Sequence, residues 1–157
     1  MPVSFHDAAP AEMDPVVLYS ILKLRVDVFV VEQRAAYEEL DGRDIEAGAR
    51  LYWAEEDGDV LATLRVLREA DGRRIGRVAT AAAARGAGLA AELMRRAVAA
   101  CAGAQIVLDG QLQLERWYEG FGFTRSGEVF VEDDIPHIPM TRPATPECAP
   151  GSGATGG

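Results

Sequence analysis

Cysteine is scarce in this 157-residue chain, which has only Cys101 and Cys148. One falls on the apolar face of a predicted helix and the other in a polar tail, so no disulfide framework is expected. Long apolar runs are also missing, and none approaches the length of a membrane span. Met1 to Pro15 has acids and prolines but no apolar core segment, so no signal peptide is read there. The expectation is a cytoplasmic protein. Positive charge is in deficit, with 16 Lys and Arg against 25 Asp and Glu and a net charge of −9. Nonspecific nucleic-acid binding needs a basic face and is therefore not expected. The same balance favours cationic partners such as amines. Histidine is limited to two residues, repeats are absent, and no metal is expected. The rest, 48% apolar and 26% charged, is the composition of one ordinary globular domain.

What is present centres on Ile75 to Cys101. A β-prone run from Ile75 to Thr80 leads through alanines into Arg85-Gly86-Ala87-Gly88-Leu89-Ala90. A helix follows, with Leu89, Ala90, Leu93, Met94, Ala97, Val98 and Cys101 on one face at a period near 3.6. Glu92, Arg95 and Arg96 take the other side, and Glu92 is spaced to pair with Arg96. A helix that begins at small residues leaves its first N–H groups free, and Arg85 adds a full positive charge. Such a turn is built for phosphate.

Upstream, Pro2 to His6 reads as a weak first strand. Asp14-Pro15 is a helix start, and Leu18, Ile21, Leu22, Arg25 and Phe29 carry one face of that helix to about Phe29. Arg34 to Gly48 is acidic and without a clear period. Leu51 to Glu55, Val60 to Leu67 and Arg73 to Thr80 read as three antiparallel strands joined at Asp57-Gly58-Asp59 and Ala70-Asp71-Gly72. Gln105 to Asp109 is a short buried strand, and Gln111 to Glu119 a short helix with Leu114, Trp117 and Tyr118. Ser126 to Glu132 and His137 to Thr141 are the last strands, around the acidic turn Glu132-Asp133-Asp134. From Pro143 the composition is too poor in apolar bulk to offset ordering entropy, and residues 143–157 are read as a disordered tail.

Two motifs fit the glycine turn. Gly86-Ala87-Gly88-Leu89-Ala90-Ala91 fits the dinucleotide-binding G-x-G-x-x-A, with Asp109 as the ribose-binding acid. Alanines separate Thr80 from Gly86, however, and too little chain follows for a doubly wound sheet. Arg85 to Ala90 also fits R-x-x-G-x-A, and Tyr118 with Gly122-Phe123 fits Y-x-x-x-G-F. On these motifs the chain resembles the GNAT superfamily of acyl-CoA-dependent N-acetyltransferases over roughly Val16 to Met140. The run Arg25 to Gln33, the acidic Tyr37 to Gly42, and Glu132 to Ile138 resemble the ElaA-like branch. The first of these also resembles acyl-homoserine-lactone synthases.

The resemblance implies an α+β fold in α/β/α layers, with a mixed, mostly antiparallel sheet of about six to seven strands flanked by about four helices, over residues 1–142. It implies acetyl transfer from acetyl-CoA to a primary amine of a small molecule or peptide in a direct ternary complex. Coenzyme A would be held by Val78, Ala79, Thr80, Arg85, Gly86, Ala87, Gly88, Leu89, Ala90, Gln111 and Tyr118. At Gln111 the family often has Asn. Tyr118 is the expected acid toward the departing thiolate. Glu32 and His137 are the candidate bases, with water as an alternative proton carrier. Arg25, Phe29, Glu32 and Arg77 are the candidates for the acceptor. Arg25 lies on an apolar face and needs a partner, either an acid such as Asp41 or Asp44 or a substrate carboxylate. Glu38, Glu39, Asp41 and Asp44 are acids that could draw a cationic amine. The other class of function is a non-catalytic acyl-CoA-binding domain. A monomer or homodimer without membrane or nucleic-acid partners is expected.

Overall fold

The structure, a computed structural model, describes residues 2–35 and 38–145. Tyr37, Cys148 and the tail from residue 146 lie outside the described residues. Strand β1 (Ser4–Ala8) sits two residues later than the sequence suggests. The Asp14 carboxylate then accepts the Val16 N–H at 2.8 Å, and Pro15 opens helix α1 (Pro15–Arg25). The helix continues past the expected end as a π-helical segment, Val26–Glu32, closed by a hydrogen bond from the Gln33 N–H to the Val28 carbonyl at 3.0 Å. Valines at 26, 28, 30 and 31 crowd the preceding turn of an α-helix, and a wider turn relieves that crowding.

The sheet follows as β2 (Arg50–Glu56), β3 (Asp59–Glu69) and β4 (Gly72–Thr80). Helix α2 (Leu89–Ala100) leads to β5 (Gln105–Gln111), and helix α3 (Glu115–Glu119) leads to β6 (Thr124–Arg125), β7 (Phe130–Glu132) and β8 (Ile135–Arg142). All eight strands share one sheet in the order β1-β2-β3-β4-β5-β8-β6, with β7 also on β8. Three α-helices flank it among the described residues. Gln111 ends β5 opposite His137 instead of opening a helix. Of the expected strand over Ser126 to Glu132 only Phe130–Glu132 forms, as β7, and the short β6 precedes the expected range. Pro136 and Pro139 in β8 have no N–H to donate, and pairing on that edge jumps from Arg125 opposite Met140 to Phe130 opposite His137.

The layering follows from alternation along β2. Leu51 and Trp53 pack with Ile21 of α1, while Tyr52 and Ala54 pack with Leu93, Met94 and Ala97 of α2. Both faces of the sheet are thus covered, which is why this strand reads as a continuous apolar run. The face of α2 expected from its period is the buried one, and Arg96 reaches Glu92 at 2.9 Å on the other side.

Every pairing in the sheet is antiparallel except β4 with β5. Their parallel contact is limited to Gly72–Arg74 against Gln105–Val107. Both strands run on beyond it without pairing to each other, so the sheet splays open. A bulge sharpens the departure: Thr63 faces Ala79 and Arg65 faces Gly76, which leaves an extra residue in β4, and Arg77 takes a φ of 54°. No helix of the described residues is long and apolar enough to cross a membrane.

Candidate active site

The splay holds a cleft of about 470 Å³. Ile75, Gly76, Arg77 and Val78 of β4 form one wall, and Leu108, Asp109 and Gln111 of β5 form the other. Phe29 of the π-helical segment, Tyr118 of α3 and His137 of β8 also line it. Past Arg74, the β4 edge that faces β5 is left without a strand partner, so its backbone is available to an extended ligand.

At the far end of β4 the chain reaches the glycine turn. Gly86 and Gly88 have φ of 85° and 75°, and at both a Cβ would meet no atom within 4 Å. The backbone conformation thus calls for glycine, and the space beside it is open. The first intrahelical bond of α2 runs from the Glu92 N–H to the Gly88 carbonyl, and no side chain caps the helix. The amides of Leu89, Ala90 and Ala91 therefore point out of the helix start with its dipole behind them. An open, uncapped cradle of this kind fits a pyrophosphate.

Tyr118 is the buried centre of the site. Its ring packs edge-on against Trp117 and Phe123, at centroid distances of 5.0 and 6.4 Å. The residue is 6% exposed, and burial alone pushes its pKa up to about 12. No described residue bonds its hydroxyl, although the ring lines the cleft. Gly110 makes this position possible: a Cβ there would stand 2.6 Å from the Tyr118 ring. Sequence reading missed Gly110, whose only local signal is a glycine inside a strand. Gly110→Val is expected to displace the ring and lower turnover together with the melting temperature, by about 1–3 kcal/mol of overpacking. Steady-state kinetics and a thermal melt on one sample would check both.

His137 also stands in the cleft, stacked on Phe130 at 5.6 Å, with Nδ1 2.7 Å from the Ile135 carbonyl. A carbonyl oxygen only accepts, so Nδ1 carries a proton, and in the neutral ring Nε2 is the acceptor. Glu32 stands elsewhere. Its carboxylate lies 2.8 Å from Arg85 Nη2 at the glycine turn and does not line the cleft, so the geometry speaks against its role as a base there.

The acceptor candidates need correction. Arg25 is fully buried, with Nε on Glu39 at 2.7 Å and Nη1 on Asp44 at 2.6 Å. It is therefore a structural residue out of reach of any substrate carboxylate. Desolvation opposes its charge, but the bonds to Asp44 and Glu39 outweigh it and hold the pKa above the ordinary value. Arg77 does line the cleft, yet its guanidinium is committed to the loop at 38–41, through Glu39 at 2.6 Å and Asp41 at 3.2 Å. The acids read as bait for an amine are mostly the counter-charges of these arginines. Glu39 and Asp44 are buried, and Asp41 holds Arg65, an arginine the sequence reading overlooked. Phe29 remains in place as an apolar wall.

Asp41 carries the pH dependence of this network. Burial pushes its pKa up, but hydrogen bonds from the Arg65 guanidinium and the Arg43 N–H, with the charges of Arg65 and Arg77, pull it down from 3.8 to about 2. A depressed carboxylate stabilises the fold above its unfolded value and loses that contribution as it takes up a proton. Stability conferred by Asp41 is therefore whole above about pH 4 and falls as the pH drops toward 2. Urea midpoints between pH 5 and 2 are expected to fall less steeply in Asp41→Asn than in the wild type.

Residues 19–143 match the family model of the acetyltransferase (GNAT) domain. The chain belongs to the GNAT acetyltransferases. E. coli ElaA is 33% identical over 147 residues, covering 89% of this chain and 96% of ElaA. The crystal structure of ElaA superposes with a TM-score of 0.85 over 90% of this chain and 99% of its own, at 32% identity. The chain thus falls in the ElaA-like branch of the GNAT family. A UPF0039 protein of Mycobacterium tuberculosis is 45% identical over 139 residues, 85% of this chain and 89% of that protein. An acyl-CoA N-acyltransferase from Pseudomonas aeruginosa superposes with a TM-score of 0.86 at 38% identity, over 90% of this chain and 99% of its own. The antiparallel pairing of β4 with β3, and the Arg74 guanidinium 3.3 Å from the Asp109 carboxylate, argue against the dinucleotide alternative, which needs a parallel sheet and a free acid.

Proposed function

We propose that this GNAT chain transfers an acetyl group from acetyl-CoA to a primary amine of a small molecule or peptide within one ternary complex. The observation that carries the reading is Tyr118, a buried phenol held on the cleft wall with its hydroxyl bonded to no described residue. The ring is buried but the hydroxyl is not among the buried polar atoms, so it opens on the cleft, where a departing thiolate could reach it.

Arg85 and the amides from Gly86 to Ala90 would hold the pyrophosphate of the donor. The unpaired β4 edge at Val78, Ala79 and Thr80 would pair with its pantetheine amides, with Gln111 and Tyr118 on the opposite wall. Bound there, the donor supplies an activated thioester. The chain does the rest by placement. Amides of the β4 edge polarise the acyl oxygen. The acceptor nitrogen bonds to the acyl carbon as the carbon–sulfur bond breaks, and the sulfur takes the Tyr118 proton. The amine's own proton leaves through His137 Nε2 or water, and a proton returned through solvent restores the Tyr118 hydroxyl.

The test is free-thiol release during incubation with acetyl-CoA and a panel of polyamines, amino acids and peptides. Thiol release that depends on one class of amine is the expected result. Binding of acetyl-CoA with no turnover across the panel would instead make the chain a binding module.

A further inference from the structure

Arg85, the residue assigned to the pyrophosphate, already holds an anion. Its Nη2 lies 2.9 and 2.8 Å from the two carboxylate oxygens of Glu32, and its Nε donates to the Thr80 carbonyl at 3.3 Å. Glu32 is not a local neighbour of the turn, because it closes the π-helical segment 53 residues earlier in the chain. The next residue makes the matching contact on the other wall: the Gln111 amide donates to Gln33 Oε1 at 3.2 Å. Two consecutive side chains thus tie one helix end to both arms of the splay.

Between Thr80 and Glu92 the sequence has a single charged residue, Arg85. With Glu32 on it, the turn offers no net positive charge beyond the helix dipole. The same guanidinium edge cannot serve a carboxylate and a pyrophosphate together, and the two anions would repel across it. We infer that Glu32 is a built-in counter-anion of the donor site, displaced from Arg85 when the pyrophosphate binds. The inference rests on the pyrophosphate reading of the turn given above. Glu32 then sets donor affinity, and the exchange leaves the Gln33–Gln111 tie in place across the cleft.

Calorimetric titration of coenzyme A into the wild type, Glu32→Gln, Arg85→Ala and the double variant tests this. Both partners are 45% exposed, so the competition is worth what an exposed ion pair is worth. Glu32→Gln is expected to lower the Kd for coenzyme A about 2- to 5-fold. The gain should vanish in the Arg85→Ala background and shrink at high salt. A Kd in Glu32→Gln equal to or above that of the wild type overturns the inference while the proposed function stands. So does a gain that survives without Arg85. A wild type that fails to bind coenzyme A overturns the donor-site reading and this inference together.

Discussion

Tyr118→Phe is expected to lower kcat by about 10²- to 10⁴-fold, the range that a positioned general acid contributes. The KM for acetyl-CoA should change little, because the ring and its packing against Trp117 and Phe123 survive the loss of one oxygen. The pH profile makes the test specific. An ordinary tyrosine begins to lose its proton near pH 10, but burial holds Tyr118 near 12. The wild-type rate should therefore show no alkaline limb from this group below about pH 10. Equal kcat in the two proteins would exclude the acid role.

Arg25→Met is the substitution with the largest expected effect on stability. It removes a cation that is 0% exposed and leaves Glu39 and Asp44 with a buried charge to satisfy. Removing one partner of such a group costs about 3–5 kcal/mol, or roughly 10 °C in melting temperature for a chain of this size. Arg25→Lys should restore little of it. An ammonium has no planar fork with which to reach Glu39 through one nitrogen and Asp44 through another. Urea unfolding followed by circular dichroism gives both values, and a loss below about 1 kcal/mol for Arg25→Met would mean that the acids find other partners.

Much of this fold was legible because its signals are local. The Asp14-Pro15 start, the Asp57-Gly58 turn and the buried face of α2 each depend on residues within a few positions of one another. The motifs at Arg85 to Ala90 and Tyr118 to Phe123 are local in the same sense, and the roles read from them belong to the proposed function. Less visible were the features set by pairing across the sheet. Glu39 lies 14 residues from Arg25, and no spacing rule distinguishes it from Glu38 or Asp41 as the partner. The bulge at Arg77 depends on the register of β3, and the need for glycine at 110 depends on where α3 lays an aromatic ring. The π-helical segment reads as an ordinary apolar helix until its hydrogen bonds are seen. The acids of the loop illustrate the general difficulty. A run of carboxylates looks like bait for a cation whether its counter-charges come from a ligand or from arginines on distant strands.

The brief contact between β4 and β5 also has a meaning for how the chain assembles. β2, β3 and β4 close on one another through turns of two residues, whereas β4 meets β5 only after the whole of α2 has intervened. Short loops close at lower entropic cost, so the meander has the advantage of forming first, and the C-terminal strands join it across three residue pairs. The candidate cleft thus lies at the seam between two halves of the sheet that meet through only these pairs. Evolution did not have to carve a hole in a finished core, because the chain left one where the halves meet.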